Sequence, residues 1–306
     1  MVKKIPDNNL TDARAIKTIN KYVYCFDNNE LVKRVVHDEV IVEQPLQIRL
    51  LWHDGRQQCS QVFSITMRTP GNDELLILGL LYSEGVISAV ADIAHITIET
   101  NENSTDTRAD QNLWEVRLNN GVMPKLAALE RYQITYSSCG LCGSTSLKSL
   151  ELKNPPSLNH TKLINAWLNT SDVVFLPKLM REKQQMFAQT GGVHGAALFY
   201  YDQKTPQLFA IGEDIGRHNA LDKVIGAYIK TATKNNLIVV VSGRISFEIV
   251  QKTIMAGISV LIGVGAPSDL AIKAAQRFDL TLIGFASSQS FNVYCGDWRI
   301  KTEIIK

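Results

Sequence analysis

From residue 196 to 285 the chain alternates short apolar runs with stretches of helix length, and this alternation limits the fold more than any other feature. The pattern predicts strands at 196–201, 208–212, 237–241, 260–263 and 281–285, and helices at 220–229, 246–255 and 268–278. Leu237-Ile238-Val239-Val240-Val241 has no polar face, so it suits a sheet covered on both sides. Strands that alternate with helices predict a mainly parallel sheet with helices on its faces, a three-layer α/β arrangement. With 306 residues, 45% of them hydrophobic, there is room for a second domain and a sizeable core.

The first half is mixed. Residues 1–27 are polar and predict an arm, and 31–41 predict an extended segment. Strands are expected at 45–51 and 61–67, joined across the turn signal His53-Asp54-Gly55. Asp73 is the expected N-cap of a largely buried helix at 74–84, closed by Gly85. Further strands are expected at 93–100 and 113–118, with a polar loop between them. Residues 126–135 form a weak, mixed segment, Pro155-Pro156 breaks the chain, and 161–168 and 179–188 predict helices. The expected organisation is an α+β domain over 1–135 and an α/β domain over 136–306.

Near the boundary lies Ser137-Ser138-Cys139-Gly140-Leu141-Cys142-Gly143. Small, permissive residues around two thiols suit an exposed loop, where thiols do chemistry rather than packing. Four readings fit Cys139 and Cys142. Structural zinc needs two more ligands, but Cys25, Cys59 and Cys295 are isolated. The spacing also suits a dithiol–disulfide couple, a persulfide carrier or two inert thiols in a turn. Five cysteines do not suggest a disulfide framework. The formal net charge of +2 gives no sign of bulk nucleic-acid binding, so an anionic ligand needs a local site. The start lacks the apolar core of a signal peptide, and no run reaches the ~18 apolar residues of a membrane span. The expectation is a soluble, cytoplasmic protein.

Ligands of open α/β sheets bind beyond the carboxyl ends of the strands, and the glycines fall there. Ser242-Gly243-Arg244 and Gly263-Val264-Gly265-Ala266-Pro267-Ser268 each join a strand to a helix. Backbone N–H groups at a helix start, with Arg244, suit phosphate or carboxylate. Thr190-Gly191-Gly192-Val193-His194-Gly195 and Gly212-Glu213-Asp214-Ile215-Gly216-Arg217-His218-Asn219 are two further candidates. In the second, Asp214 and Asn219 also qualify as caps, while His194 and His218 together suit proton transfer. A zinc deaminase uses His-x-Glu followed by Pro-Cys-x-x-Cys. Here Ala196 stands at the Glu position and the cysteine pair lies upstream. A deaminase-like sheet fits the pattern; deaminase chemistry does not.

These stretches, with TMRTPGNDE at 66–74, SGRISFEIVQKTIMAGI at 242–258 and FNVY at 291–294, resemble the formate dehydrogenase accessory sulfurtransferase family, FdhD. The resemblance covers most of the chain in the family's order. It implies a sulfurtransferase with a cysteine persulfide on Cys139, helped by Cys142. Sulfur would come from a cysteine desulfurase. It would go to the molybdenum of the bis-molybdopterin guanine dinucleotide cofactor, which then enters formate dehydrogenase. The resemblance also implies a C-terminal half like the cytidine-deaminase fold without its zinc.

It places cofactor contacts at Phe285, Ala286, Ser287, Ser288, Gln289 and Ser290, where the family usually carries a basic, glycine-containing loop. No Arg or Lys occurs in that stretch here. The glycine loops extend the expected site through Gly191, Gly192, His194, Arg217, His218, Ser242, Gly243, Arg244, Gly265 and Ser268. Two guanine dinucleotides per cofactor suit a symmetric homodimer. A molybdopterin-binding chaperone with incidental thiols, or a thiol–disulfide oxidoreductase, would be the other classes.

Overall fold

Leu75 to Leu81 are apolar on every side, and a helix of that kind needs a neighbour on each face. The computed structural model gives it two. It describes residues 14–27, 30–99, 112–124, 143–158, 166–202, 205–231 and 236–301. Helix α1 (Asp73–Ser83) lies on a four-stranded sheet and, on its other side, against a helix of the second half.

The first two strands, β1 (Ile16–Asp27) and β2 (Glu30–Ile41), form an antiparallel hairpin. This corrects the polar arm expected over 1–27 for the residues from 16 on. The hairpin is solvated on much of both faces, so its strands lack the clean alternation that marks a half-buried strand. Strands β3 (Gln44–His53) and β4 (Gln58–Arg68) form the expected hairpin, with Asp54 Oδ1 accepting from the Arg56 and Gln57 N–H groups at 2.8 Å. With β5 (Ile93–Ile98) and β6 (Leu113–Leu118) they make a sheet of order β4-β3-β6-β5. Leu46, Ile48, Leu50 and Val116 bury one face against Leu76, Ile77, Leu80 and Leu81 of α1. Asp73 is not the cap. Asn72 holds the N-cap position in a left-handed conformation without a side-chain bond. Asp73 instead accepts two bonds from the buried Arg68 fork, at 2.8 and 3.0 Å.

The second half comprises α2 (Gly143–Glu151), β7 (Leu168–Asn169), α3 (Thr170–Lys183), α4 (Gln185–Thr190), β8 (His194–Asp202) and β9 (Thr205–Asp214). They are followed by α5 (Arg217–Ile229), β10 (Leu237–Val241), α6 (Phe247–Met255), β11 (Val260–Gly263) and α7 (Asp269–Arg277). The chain then adds β12 (Thr281–Gly284), β13 (Asn292–Cys295) and β14 (Ile300–Lys301). The helix expected at 161–168 falls mostly outside the described residues, and its last residue, Leu168, is in β7. The helix expected at 179–188 is two helices, broken at the extended residue Gln184.

The large sheet has the order β13-β12-β11-β10-β8-β9. Only β10–β11 and β11–β12 are parallel, so it is mixed rather than mainly parallel. Connection length explains this. Those two links carry a helix, whereas β8 passes to β9, and β12 to β13, through links too short for a crossover. The three layers are as expected. Leu198, Val239, Leu261 and Leu282 face α5, α6 and α7; Phe199, Ile238, Val240 and Ile262 face α3.

Helices α1 and α5 cross at two glycines. A Cβ at Gly79 would stand 1.8 Å from the Asp222 carbonyl oxygen, and one at Gly226 2.0 Å from that of Leu75. The close approach leaves polar groups dry between α1, α5 and α6. There Lys252 bonds Asp222 through both carboxylate oxygens at 2.9 Å, and Ser83 at 3.0 Å. Glu84 pairs with Lys153 at 2.7 Å and with Lys252 at 3.5 Å.

Burial pushes the Glu84 carboxyl up, but Lys252 and Lys153 outweigh it and hold the group at about 2. A carboxylate depressed on folding stabilises above its ordinary value and loses that contribution as pH falls through its folded value. The expected window therefore runs from the ordinary 4.5 down to about 2. Glu84→Gln should lower the urea midpoint at neutral pH and reduce the decline across that window. Paired urea titrations of wild type and variant at neutral and acid pH measure both.

Candidate functional site

The loops that follow β10, β11 and β12 are joined by backbone hydrogen bonds. Gly265 N–H donates to the Gly243 carbonyl at 3.2 Å, Ile245 to Ala266 at 2.9 Å and Ser268 to Ile245 at 2.9 Å. Phe285 donates to Gly265 at 3.2 Å, and Ala286 to Gly263 at 3.1 Å. A Cβ at Gly265 would come within 3 Å of the Gly243 and Arg244 backbone, so glycine permits this contact. The Gly265 and Ser268 amides are thus spent between loops, although the sequence suggested them for phosphate. The Ser268 hydroxyl caps α7 by accepting from Ala271.

The stretch 285–290 continues the same surface. Phe285 is left-handed, with φ of 52°, and its side chain is half exposed. Ser287 Oγ accepts from the Gln289 and Ser290 amides and donates to the Ser290 carbonyl, closing a turn. Ser288, Gln289 and Ser290 are exposed. On the other flank, Ser242 N–H donates to the Gly195 carbonyl and Gly195 N–H to Ser242 Oγ, both at 2.9 Å. Gly191 closes α4 with φ of 67°, and Gly192 lies against Ile41 of β2.

His194 and Arg217 both reach Gly243. A Cβ there would sit 3.3 Å from His194 Nδ1 and 3.7 Å from Arg217 Cδ. Burial, then the charges of Arg217 and His218, lower the His194 pKa against a weaker opposing effect of Asp214. His194 is therefore a neutral acceptor at neutral pH. Arg217 Nε is buried and has no hydrogen-bond partner among the described residues. His218 Nε2 is 2.9 Å from Glu248 Oε2 and 3.3 Å from Ser246 Oγ. The bond from His218 is the main cause that lowers the Glu248 pKa. Arg244 is exposed. The structure thus brings together His194, Arg217, His218, Ser242 and Gly243, with the 264–268 and 285–290 loops beside them.

The acids of the 212–219 motif, consecutive on β9 and so on its two faces, are each held by other partners. Asp214 pairs with Lys223 at 2.8 Å, both essentially inaccessible. Its oxygens also accept from Thr69 N–H at 3.1 Å, Gly216 N–H at 2.9 Å and the Asn219 amide at 3.1 Å. Lys223 donates to the Thr69 and Glu213 carbonyls at 3.1 Å. Glu213 accepts from the Met186 and Phe187 amides at the start of α4. These groups are structural, but not as the caps expected: Gly216 holds the N-cap position of α5 without a side-chain bond, and Asn219, inside the helix, donates to Asp214 and to the Met67 carbonyl. Sequence reasoning passed over Glu248 and Ser246. Their only signal was a place in the first turn after the Arg244 loop.

Cys139 and Cys142 lie outside the described residues; α2 begins at the next residue, Gly143. Cys25, Cys59 and Cys295 are free thiols, and burial pushes Cys295 up to about 11. Among the described residues no three His, Cys, Asp or Glu side chains are grouped to hold a metal, and no helix is long and apolar enough to cross a membrane.

The profile of the FdhD/NarQ family matches residues 41–301. A sulfur carrier protein FdhD from Sulfurisphaera tokodaii is 38% identical over 283 residues, covering 92% of this chain and 98% of that one. A protein of the same description from Nocardia farcinica is 40% identical over 271 residues, covering 87% and 89%. A crystal structure from Desulfotalea psychrophila, described as that of a candidate formate dehydrogenase accessory protein, has a TM-score of 0.65. That likeness covers 93% of this chain and 99% of the other at 22% identity, and it speaks for the fold alone.

Removing one member of a dry ion pair strands its partner, typically at ~3–5 kcal/mol. Asp214→Asn should therefore destabilise the protein by about that amount, whereas Glu248→Gln, at an exposed position, should cost under ~1 kcal/mol. Urea unfolding of the two variants measures the contrast.

Proposed function

The chain belongs to the FdhD/NarQ family, and from that premise we propose that it is a sulfur carrier in the maturation of formate dehydrogenase. The observation that carries this reading is the match to a sulfur carrier over 98% of that protein's length. In this reading the Cys139 thiolate attacks the terminal sulfur of a persulfide on a cysteine desulfurase. The donor's sulfur–sulfur bond breaks as one to Cys139 forms, and the donor leaves as a thiolate. Cys142 assists, and the sulfur passes to the reduced molybdenum of bis-molybdopterin guanine dinucleotide, which is substrate here: the sulfur–sulfur bond at Cys139 breaks as the sulfur bonds the metal, Cys139 leaves as a thiolate, and the metal supplies the two electrons. The organisation proposed is an N-terminal domain over 1–135 and a deaminase-like domain without zinc over 136–306, acting as a homodimer in the cytoplasm.

The acceptor site proposed is the surface formed by Gly191, Gly192, His194, Arg217, His218, Ser242, Gly243, Arg244, Gly265, Ser268 and 285–290. A buried guanidinium N–H without a hydrogen-bond partner among the described residues, beside a neutral histidine, suits an anion such as a diphosphate. Arg217 takes the main role in holding phosphate, and exposed Arg244 adds a rim charge.

Intact mass after incubation with a cysteine desulfurase and cysteine should rise by one sulfur, located on the Cys139 peptide. Cys139→Ala should abolish both the gain and formate dehydrogenase maturation, while single changes at Cys25, Cys59 and Cys295 should preserve them. Normal maturation by Cys139→Ala would refute the carrier reading.

For the acceptor site, calorimetry should detect GDP binding. Arg217→Gln should weaken it by about 1.5–3 kcal/mol, and Arg244→Ala by less. Equal affinity in wild type and Arg217→Gln would move the diphosphate elsewhere.

A further inference from the structure

Strand β2 reads Glu30-Leu31-Val32-Lys33-Arg34-Val35-Val36-His37-Asp38-Glu39-Val40-Ile41. Two bases precede Val36 and two acids follow it at matching distances. One edge of β2 bonds to β1, and the other pairs with no strand among the described residues. Within the described residues the hairpin is anchored at its base, where Ala15, Ile16 and Ile41 pack with Met186, Phe187 and Val193. Towards the tip Phe26 is 79% exposed, Tyr22 61%, Leu31 60% and Val35 62%. A two-stranded hairpin is at best marginally stable alone, and an open edge is a template for another strand.

We propose that the outer edge of β2 pairs antiparallel with β2 of a second copy, with the two-fold axis at Val36. The result is a four-stranded sheet of order β1-β2-β2-β1 across the dimer. This occupant follows from the charge order. In that register Lys33 faces Glu39 of the other copy, Arg34 faces Asp38, Val32 faces Val40 and Leu31 faces Ile41. Each match occurs twice by symmetry, as an isologous interface requires. Opposed pairs point to the same face of an antiparallel sheet, so the ion pairs and apolar pairs form directly across the strands. A two-residue slip would set Val32 against Asp38 and Leu31 against Glu39, so the pattern fixes the register.

Charges on an edge strand usually guard against pairing. Here their order makes self-pairing attractive. Within the hairpin Lys21 bonds Asp38 at 2.8 Å, Arg34 lies 3.7 Å from Asp27 and Lys33 lies 3.9 Å over the Tyr22 ring. These contacts are solvent-exposed and weak, so Lys33 and Arg34 exchange or share them when the partner's Glu39 and the partner's Asp38 arrive. Because Ile41 lies against Gly192, the arrangement also brings the partner's hairpin tip beside the 190–195 segment of the candidate site.

The inference rests on the homodimer of the proposed function and not on its sulfur chemistry, so the two fail separately. Sedimentation of the full chain, Lys33→Glu/Arg34→Glu, Asp38→Lys/Glu39→Lys and their equimolar mixture tests it. Wild type should be dimeric and each double variant monomeric with its fold retained by circular dichroism. The mixture should restore a dimer of one chain of each kind, because every opposed pair is again complementary. Amide exchange across 31–40 should be slow in the wild-type dimer and fast in either variant alone. A monomeric wild type, dimers that persist in both double variants, or a mixture that stays monomeric overturns the proposal. Sulfur loading at Cys139, measured on the same samples, reports on the carrier reading alone.

Discussion

The Asp214–Lys223 pair is the contact on which the candidate site depends. Two charges removed from water cost several kcal/mol each unless their remaining hydrogen-bonding capacity is met. Here Thr69, Gly216 and Asn219 complete the carboxylate, and the Thr69 and Glu213 carbonyls complete the ammonium. The pair thereby ties the loop after β4 to the start of α5. A hydrophobic plug would fill the same space, but it would not fix the rotation of α5 about its axis. With Asn219, Asp222, Lys223 and Gly226 directed at the first half, Arg217 and His218 are left at the head of the helix, beside Gly243.

The same logic accounts for α1. Its apolar surface is shared between the four-stranded sheet and α5, and Gly79 and Gly226 let the two backbones meet. So close a crossing leaves no room for bulky apolar side chains at its centre. The charges around it, Lys252, Asp222, Glu84 and Lys153, therefore bond one another. The two sheets are joined by a dry polar seam, whose geometry is more exacting than that of an apolar contact.

Much of this was legible in the sequence where the signal is local. The apolar runs at 237–241 and 260–263 marked covered strands, and the glycine loops marked the strand-to-helix turns. Strand direction was also written in the chain, in connections too short for a crossover, but helical alternation dominated the reading. Other features depend on distant residues. Asp73 looks like a cap until Arg68 is folded against it. Asp214 sits in a motif that looks like an active site because Thr69, 145 residues away, is invisible to a local pattern. Residues 16–27 look like an arm because a hairpin wetted on both faces has no alternation to betray it.

The chain's small net charge hides a strong local asymmetry. Each acid near the candidate site is already committed: Asp214 to Lys223, Glu213 to the amides of α4, and Glu248 to His218. Among the described residues Arg217 has no such carboxylate partner, and its neighbour His194 is held neutral partly by the charge of Arg217. The carboxylate that Arg217 does act on, Glu248, is already bonded to His218, so a partly desolvated guanidinium shares its counter-charge, and an arriving anion relieves that cost. The affinity of such a site comes from where the acids are spent, not from how many bases the chain contains. That is why 285–290, with no Arg or Lys, can still border an anion site: its loop supplies shape, while the charge is supplied by α5.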